Sequence, residues 1–160
     1  MLIREIFSIL DIIGLGMLLG GAVYESIVMA PNYRTAVPES LKHLRGFMRI
    51  TNPAYYFRVF SPATIISLIV TIIACWKFLP ARWWFVGAFV GQVITDTITY
   101  TFHYPINRIL FIDPLISDNQ LLIKLAREWG AGNKIRVIIL VLIAVCAISG
   151  MISLVRLQAI

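Results

Sequence analysis

The chain has 160 residues, of which 59% are hydrophobic and only 14% charged, with a mean hydropathy of +0.86. A soluble domain holds about 45–50% apolar and about 25% charged residues, so a water-soluble globular domain is excluded and an integral membrane protein is indicated. The length suits one domain over residues 1–160, and the formal charge of +6 sits beside helix ends, where it suits anionic lipid rather than nucleic acid.

Crossing about 30 Å of hydrocarbon takes about 20 residues of helix, and four segments qualify: residues 6–30, 55–78, 83–104 and 135–154. The first is too long, and lacks the cleavage signal, for a removable signal peptide. Its Gly14, Gly16, Gly20 and Gly21 suggest a close-packing face, with Gly16 and Gly20 in GxxxG spacing. Residues 31–54 form the first long connection. Pro38 and Glu39 suit a first helical turn, and Leu41, Leu44, Phe47 and Met48 recur opposite Lys42, Arg45 and Arg49 as in an amphipathic interfacial helix.

Segments two and three are joined by a tight turn around Leu79, Pro80 and Ala81, which forces an antiparallel pair. Segment three carries Gln92, Asp96, Thr99, Tyr100, His103 and Asn107 on one face, while Phe85, Phe89, Val90, Ile94 and Ile98 point elsewhere. In a span, such a stripe must face protein or trapped water, and its ionisable members mark a candidate site. Residues 105–134 form the second long connection. There Asp118 is a predicted N-cap, Leu121, Leu122, Leu125 and Trp129 an apolar stripe, and Gly130 or Gly132 the predicted stop before segment four.

The expected fold is therefore all-α: a transmembrane four-helix bundle with two amphipathic interfacial helices in its long loops. An even number of crossings puts both loops on one side. Ten basic residues lie there (Arg34, Lys42, Arg45, Arg49, Arg58, Arg108, Lys124, Arg127, Lys134 and Arg136), against Arg4, Lys77, Arg82 and Arg156 on the other. The positive-inside rule then places the long loops in the cytoplasm and both termini outside.

Depth matching brings Glu25, Arg58, Tyr100, His103, Asn107, Asn133 and Arg136 to the long-loop mouth, with Gln92 and Asp96 deeper. Each has a bland role: Glu25 pairing with an arginine, or the asparagines satisfying helix ends. As a set they exceed what packing needs. His103, Asp96 and Tyr100 offer a base, an orienting carboxylate and a phenolic donor for proton abstraction, and Glu25, Arg58, Asn107, Asn133 and Arg136 offer substrate contacts. A metal or haem is disfavoured: Asp96 and His103 stand about 10 Å apart along the axis, and His43 adds a ligand only by folding over the mouth. Cys75 and Cys146 form no CxxC pair and read as packing residues.

The runs His103-Tyr104-Pro105-Ile106-Asn107, Ala126-Arg127-Glu128-Trp129 and Asn133-Lys134-Ile135-Arg136-Val137 resemble the four-span anthrone oxygenase-like family, as do Val28-Met29-Ala30-Pro31 and Asn52-Pro53. The likeness covers nearly the whole chain. It implies oxidation of anthrones to anthraquinones, in which deprotonation makes the substrate reactive toward oxygen without an obvious cofactor. By that resemblance His103 or Asp96 is the base, and Arg136, Asn107 or Asn133 stabilises the oxyanion. Two functions are thus expected: a cofactor-light oxygenase acting on an apolar aromatic or quinone-like molecule from the bilayer, or a non-enzymatic binding, transport or assembly subunit. The second expects a homo-oligomer or a partner membrane protein.

Overall fold

The computed structural model describes residues 3–112 and 118–158; residues 113–117, in the second long connection, lie outside it. The described residues are all helical or in short turns, with no strand. Four long helices close into a ring: α1 (Ile3–Tyr24) packs on α4 (Pro53–Ala74) and α7 (Asn119–Gln158), and α5 (Leu79–Ile98) packs on α4 and α7. Leu15, Leu18, Leu68, Phe85, Leu140 and Leu154 fill the centre. Outward faces carry exposed Ile13, Ile66, Ile138 and Leu142, as a helix facing lipid requires.

Among the described residues three helices are long and apolar enough to cross a membrane: Ile3–Arg34, Pro53–Ala74 and Asn119–Leu157. The helix built from predicted segment three is not among them, because Arg82, Gln92 and Asp96 and several glycines and threonines dilute its hydropathy.

The helix ends depart from expectation in a consistent way. Pro31 and Pro105 do not end their helices. Each follows a π-helical turn, Glu25–Met29 and Thr99–His103, after which α2 (Ala30–Arg34) and α6 (Tyr104–Asn107) continue in line. The Ala30 N–H bonds to the Glu25 carbonyl and the Tyr104 N–H to the Thr99 carbonyl, five residues back in both cases. A proline lacks the N–H that its fourth predecessor's carbonyl expects, and its ring presses on that carbonyl. The preceding turn therefore widens instead of breaking. A third such turn, Arg108–Ile112, stands at the same offset from Pro114 in the sequence.

The predicted stop at Gly130 or Gly132 is also corrected. Asp118 does cap the helix, accepting from the N–H groups of Gln120 and Leu121 at 2.9 and 3.1 Å, but α7 then runs for 40 residues through both glycines. The second expected surface helix is thus the first third of α7. The glycines serve close approach instead: a Cβ at Gly130 would meet the Arg34 guanidinium at 2.9 Å, and one at Gly132 would run into the Phe102 ring. On α1 the packing glycines are Gly14, against Thr64, and Gly21, against Tyr56 and Phe57. Gly16 and Gly20, the GxxxG pair, meet nothing and face outward.

The predicted helix of the first long connection is α3 (Glu39–Phe47). Leu41 is buried against a second core of Ala30, Tyr33, Ile106, Leu110 and Trp129. Arg45, expected on the outer basic face, turns inward and donates to the carbonyls of Leu110 (2.9 Å) and Ile109 (3.1 Å). Those carbonyls lie in the third π-helical turn, where the hydrogen-bond ladder changes register and leaves acceptors for a fork-shaped donor. α3 is thereby held over one end of the ring.

Candidate functional site

Under α3 lies a cavity of about 230 Å³. Five of the eight expected site residues line it: Glu25, Arg58, His103, Asn107 and Arg136. The proline-linked turns position two of them. Glu25 opens the turn on the α1–α2 helix and His103 closes the one on the α5–α6 helix, and both are buried. A π turn adds one residue to a helical circuit and redirects its side chains, a device frequent at functional sites.

His103 is 1% exposed, and neither ring nitrogen has a hydrogen-bond partner. The Ile98 backbone, five residues earlier, is within its reach but not in hydrogen-bond geometry. Trp129 and Phe102 meet the ring edge-on at 5.3 and 5.2 Å, fixing it without bonding to it. Arg136, 4% exposed, lies over the Phe57 ring at 4.4 Å. Glu25 and Asp96 both act on its charge, yet it closes an ion pair with neither, and its Nη2 is unpartnered. Arg58 is exposed at the rim, near the Tyr55 and Tyr104 rings.

Asn107 lines the cavity as expected, but its Oδ1 is committed: the Trp129 indole N–H donates to it at 2.6 Å. That bond holds Trp129 as a wall. Asn133 does not line the cavity. Its Nδ2 donates to the Ala22 carbonyl (3.0 Å) and the Ser26 hydroxyl (2.7 Å), so it fastens α7 to α1 beside the widened turn.

Asp96 and Tyr100 line an adjoining cavity of about 80 Å³, which shares Phe57, Arg58, Thr99, Tyr104 and Arg136 with the first. Asp96 is held by the Ser61 hydroxyl at 2.6–2.7 Å and by Gln92 Nε2 at 3.2 Å. Tyr100 is 63% exposed and stacks edgewise on Tyr104. The stripe is therefore split: its deep half clasps α4, His103 and Asn107 reach the larger cavity, and Tyr100, inside the π turn, stays mostly exposed at the edge of the smaller one.

Sequence reasoning missed Tyr33. It lines the larger cavity at 3% exposure with its hydroxyl unpartnered, edge-on to Phe111 and Trp129. Helical periodicity continued past Pro31 would have found it, eight residues beyond Glu25 on the same face. His43 is exposed on α3 and does not reach the cavity. Among the described residues no three His, Cys, Asp or Glu side chains gather to hold a metal. Cys75 is buried, Cys146 half-buried, and both are free.

Comparison with protein-family models, with curated proteins and with solved structures returns no match.

Proposed function

We propose that the chain is an integral membrane four-helix bundle in which α5 is the fourth crossing, α3 and the start of α7 lie at the cytoplasmic membrane surface, and the cavity beneath α3 performs proton abstraction on a small aromatic or quinone-like substrate drawn from the bilayer. The observation that carries this reading is His103: a buried imidazole with no bonded partner, beside an unpaired arginine, in a cavity walled by Phe57, Phe111 and Trp129. A general base has to reach its proton without surrendering another bond, and an arginine close by stabilises the anion that forms. The likeness to the anthrone oxygenase-like family supports the same chemistry. There, His103 takes a proton from a ring CH₂ activated by a neighbouring carbonyl, and Arg136 holds the resulting enolate oxygen. Dioxygen is the co-substrate. One of its atoms becomes the new carbonyl oxygen, and the other leaves as water with the two displaced hydrogens. The reaction as written needs no resident cofactor.

Oxygen uptake by the purified protein with 1,8-dihydroxyanthrone is the test. His103→Ala is expected to lower the rate above the protein-free background by about 10²-fold or more, with the melting temperature retained. Uptake no faster than in empty micelles, or an undiminished rate in H103A, overturns the assignment.

A further inference from the structure

The cavity holds an imbalance that proton abstraction does not explain. Arg45, Arg58 and Arg136 line it against a single carboxylate, Glu25. Arg45 is occupied by two backbone carbonyls and Arg58 is exposed at the rim. Arg136 is neither exposed nor paired: it is 4% accessible, its Nη2 has no partner, and no ion pair joins it to Glu25 or Asp96. Glu25 and Asp96 oppose its charge without closing an ion pair, so a buried guanidinium is left without a bonded anion. A second buried group without a hydrogen-bond partner, the hydroxyl of Tyr33, belongs to a residue that lines the same cavity.

We propose that the cavity recognises an aromatic carboxylate, with the carboxylate on Arg136 and Tyr33 and the ring between Phe57, Phe111 and Trp129. A guanidinium fork matches a carboxylate in two parallel hydrogen bonds, and a phenolic hydroxyl supplies a third. A carboxylate is ionised at neutral pH without assistance, whereas an ordinary phenol titrates near about 10. A ligand group that pairs with Arg136 before any proton is abstracted is therefore a carboxylate. At about 230 Å³ the cavity is smaller than the roughly 300–1,000 Å³ of sites for drug-sized ligands, so the body is a compact fused-ring system. Arg58 at the rim draws the anion in, and α3, latched by Arg45, closes over it. This inference rests on the site proposed above and adds the charge of its substrate.

The test is calorimetric titration of the purified protein in non-ionic detergent with 2-naphthoate, its neutral methyl ester and decanoate. 2-Naphthoate is expected to bind at least tenfold more tightly than either. Arg136→Gln is expected to erase the preference over the ester while leaving ester binding intact. Arg136→Lys keeps part of it, and Tyr33→Phe weakens naphthoate several-fold. Equal binding of acid and ester, or a preference unchanged in R136Q with native melting, overturns carboxylate recognition; tighter binding of decanoate overturns the aromatic body. Oxygen uptake and the acid–ester ratio are read separately: absent uptake with the ratio retained overturns only proton abstraction, and equal acid and ester binding with uptake retained overturns only carboxylate recognition. Should R136Q not fold, R136K and Y33F still decide the matter through the acid–ester ratio.

Discussion

Asn107 and Asn133 reach the same end of the molecule and do different work. The Asn107 carbonyl oxygen holds the Trp129 indole, a wall of the cavity, whereas Asn133 bonds helix to helix. Asn107→Ala frees the buried indole N–H, and it should red-shift Trp129 emission, weaken naphthoate binding and lower stability by about 1–3 kcal/mol. Asn133→Ala should lower stability by about 1 kcal/mol, the usual size of a polar contact between membrane helices, and leave naphthoate affinity unchanged. A loss of affinity in N133A without a fall in melting temperature contradicts the assignment. Residue type and depth were readable from the chain for both. Which bond each makes was not, because both partners, Trp129 and the Ala22–Ser26 turn, are brought by tertiary packing.

At the scale of elements, prolines and glycines act through distance rather than as punctuation. Pro31 and Pro105 each widen the turn ahead of them and so aim Glu25 and His103 inward. Replacing either by alanine restores an N–H donor and removes a clash, so the π turn should relax to α-helix, with stability retained or increased. The cavity should suffer: one residue of register is about 100° of rotation on a helix, enough to turn Glu25 or His103 away. P31A and P105A are therefore expected to melt no lower than the parent while losing naphthoate binding or oxygen uptake. Parent-like function in both variants refutes this role. Gly132 works by approach. Gly132→Val places a branched side chain against the Phe102 ring and should destabilise by about 1–3 kcal/mol, whereas Gly16→Val, on an open face, should be nearly neutral in the monomer.

The molecule as a whole is a ring of four helices with a second, smaller core at one end. α7 is about 60 Å long at 1.5 Å per residue, twice the hydrocarbon thickness of about 30 Å. One crossing needs only about half of that length, and the first third carries Leu122, Ala126 and Trp129 into the second core with α3. In a cysteine-free background, single cysteines at the exposed positions Ile50, Trp76 and Ile112 read the topology. Positions 50 and 112 should react with a membrane-impermeant maleimide from one side and position 76 from the other. Position 112 labelling together with 76 shows that α5 does not cross.

Composition and periodicity alone determined the all-helical membrane character, the helical segments, the amphipathic α3 and the polar inner face of segment three, because hydropathy and a 3.6-residue repeat are local properties of the chain. The Asp118 cap was equally local. The tertiary structure decided where the helices stop, since a proline or glycine ends a helix only when no neighbour stabilises its continuation, and here Arg34, Phe102 and the second core do. It also sorted the polar residues: Asn133, Asp96 and Gln92 into helix clasps, Arg45 onto backbone carbonyls, Tyr100 to the surface, and Glu25, Tyr33, His103 and Arg136 into one cavity. For Glu25 and His103 that sorting depends on the rotation introduced by a π-helical turn, and a rotation of one register step is invisible to a pattern that assumes an unbroken α-helix.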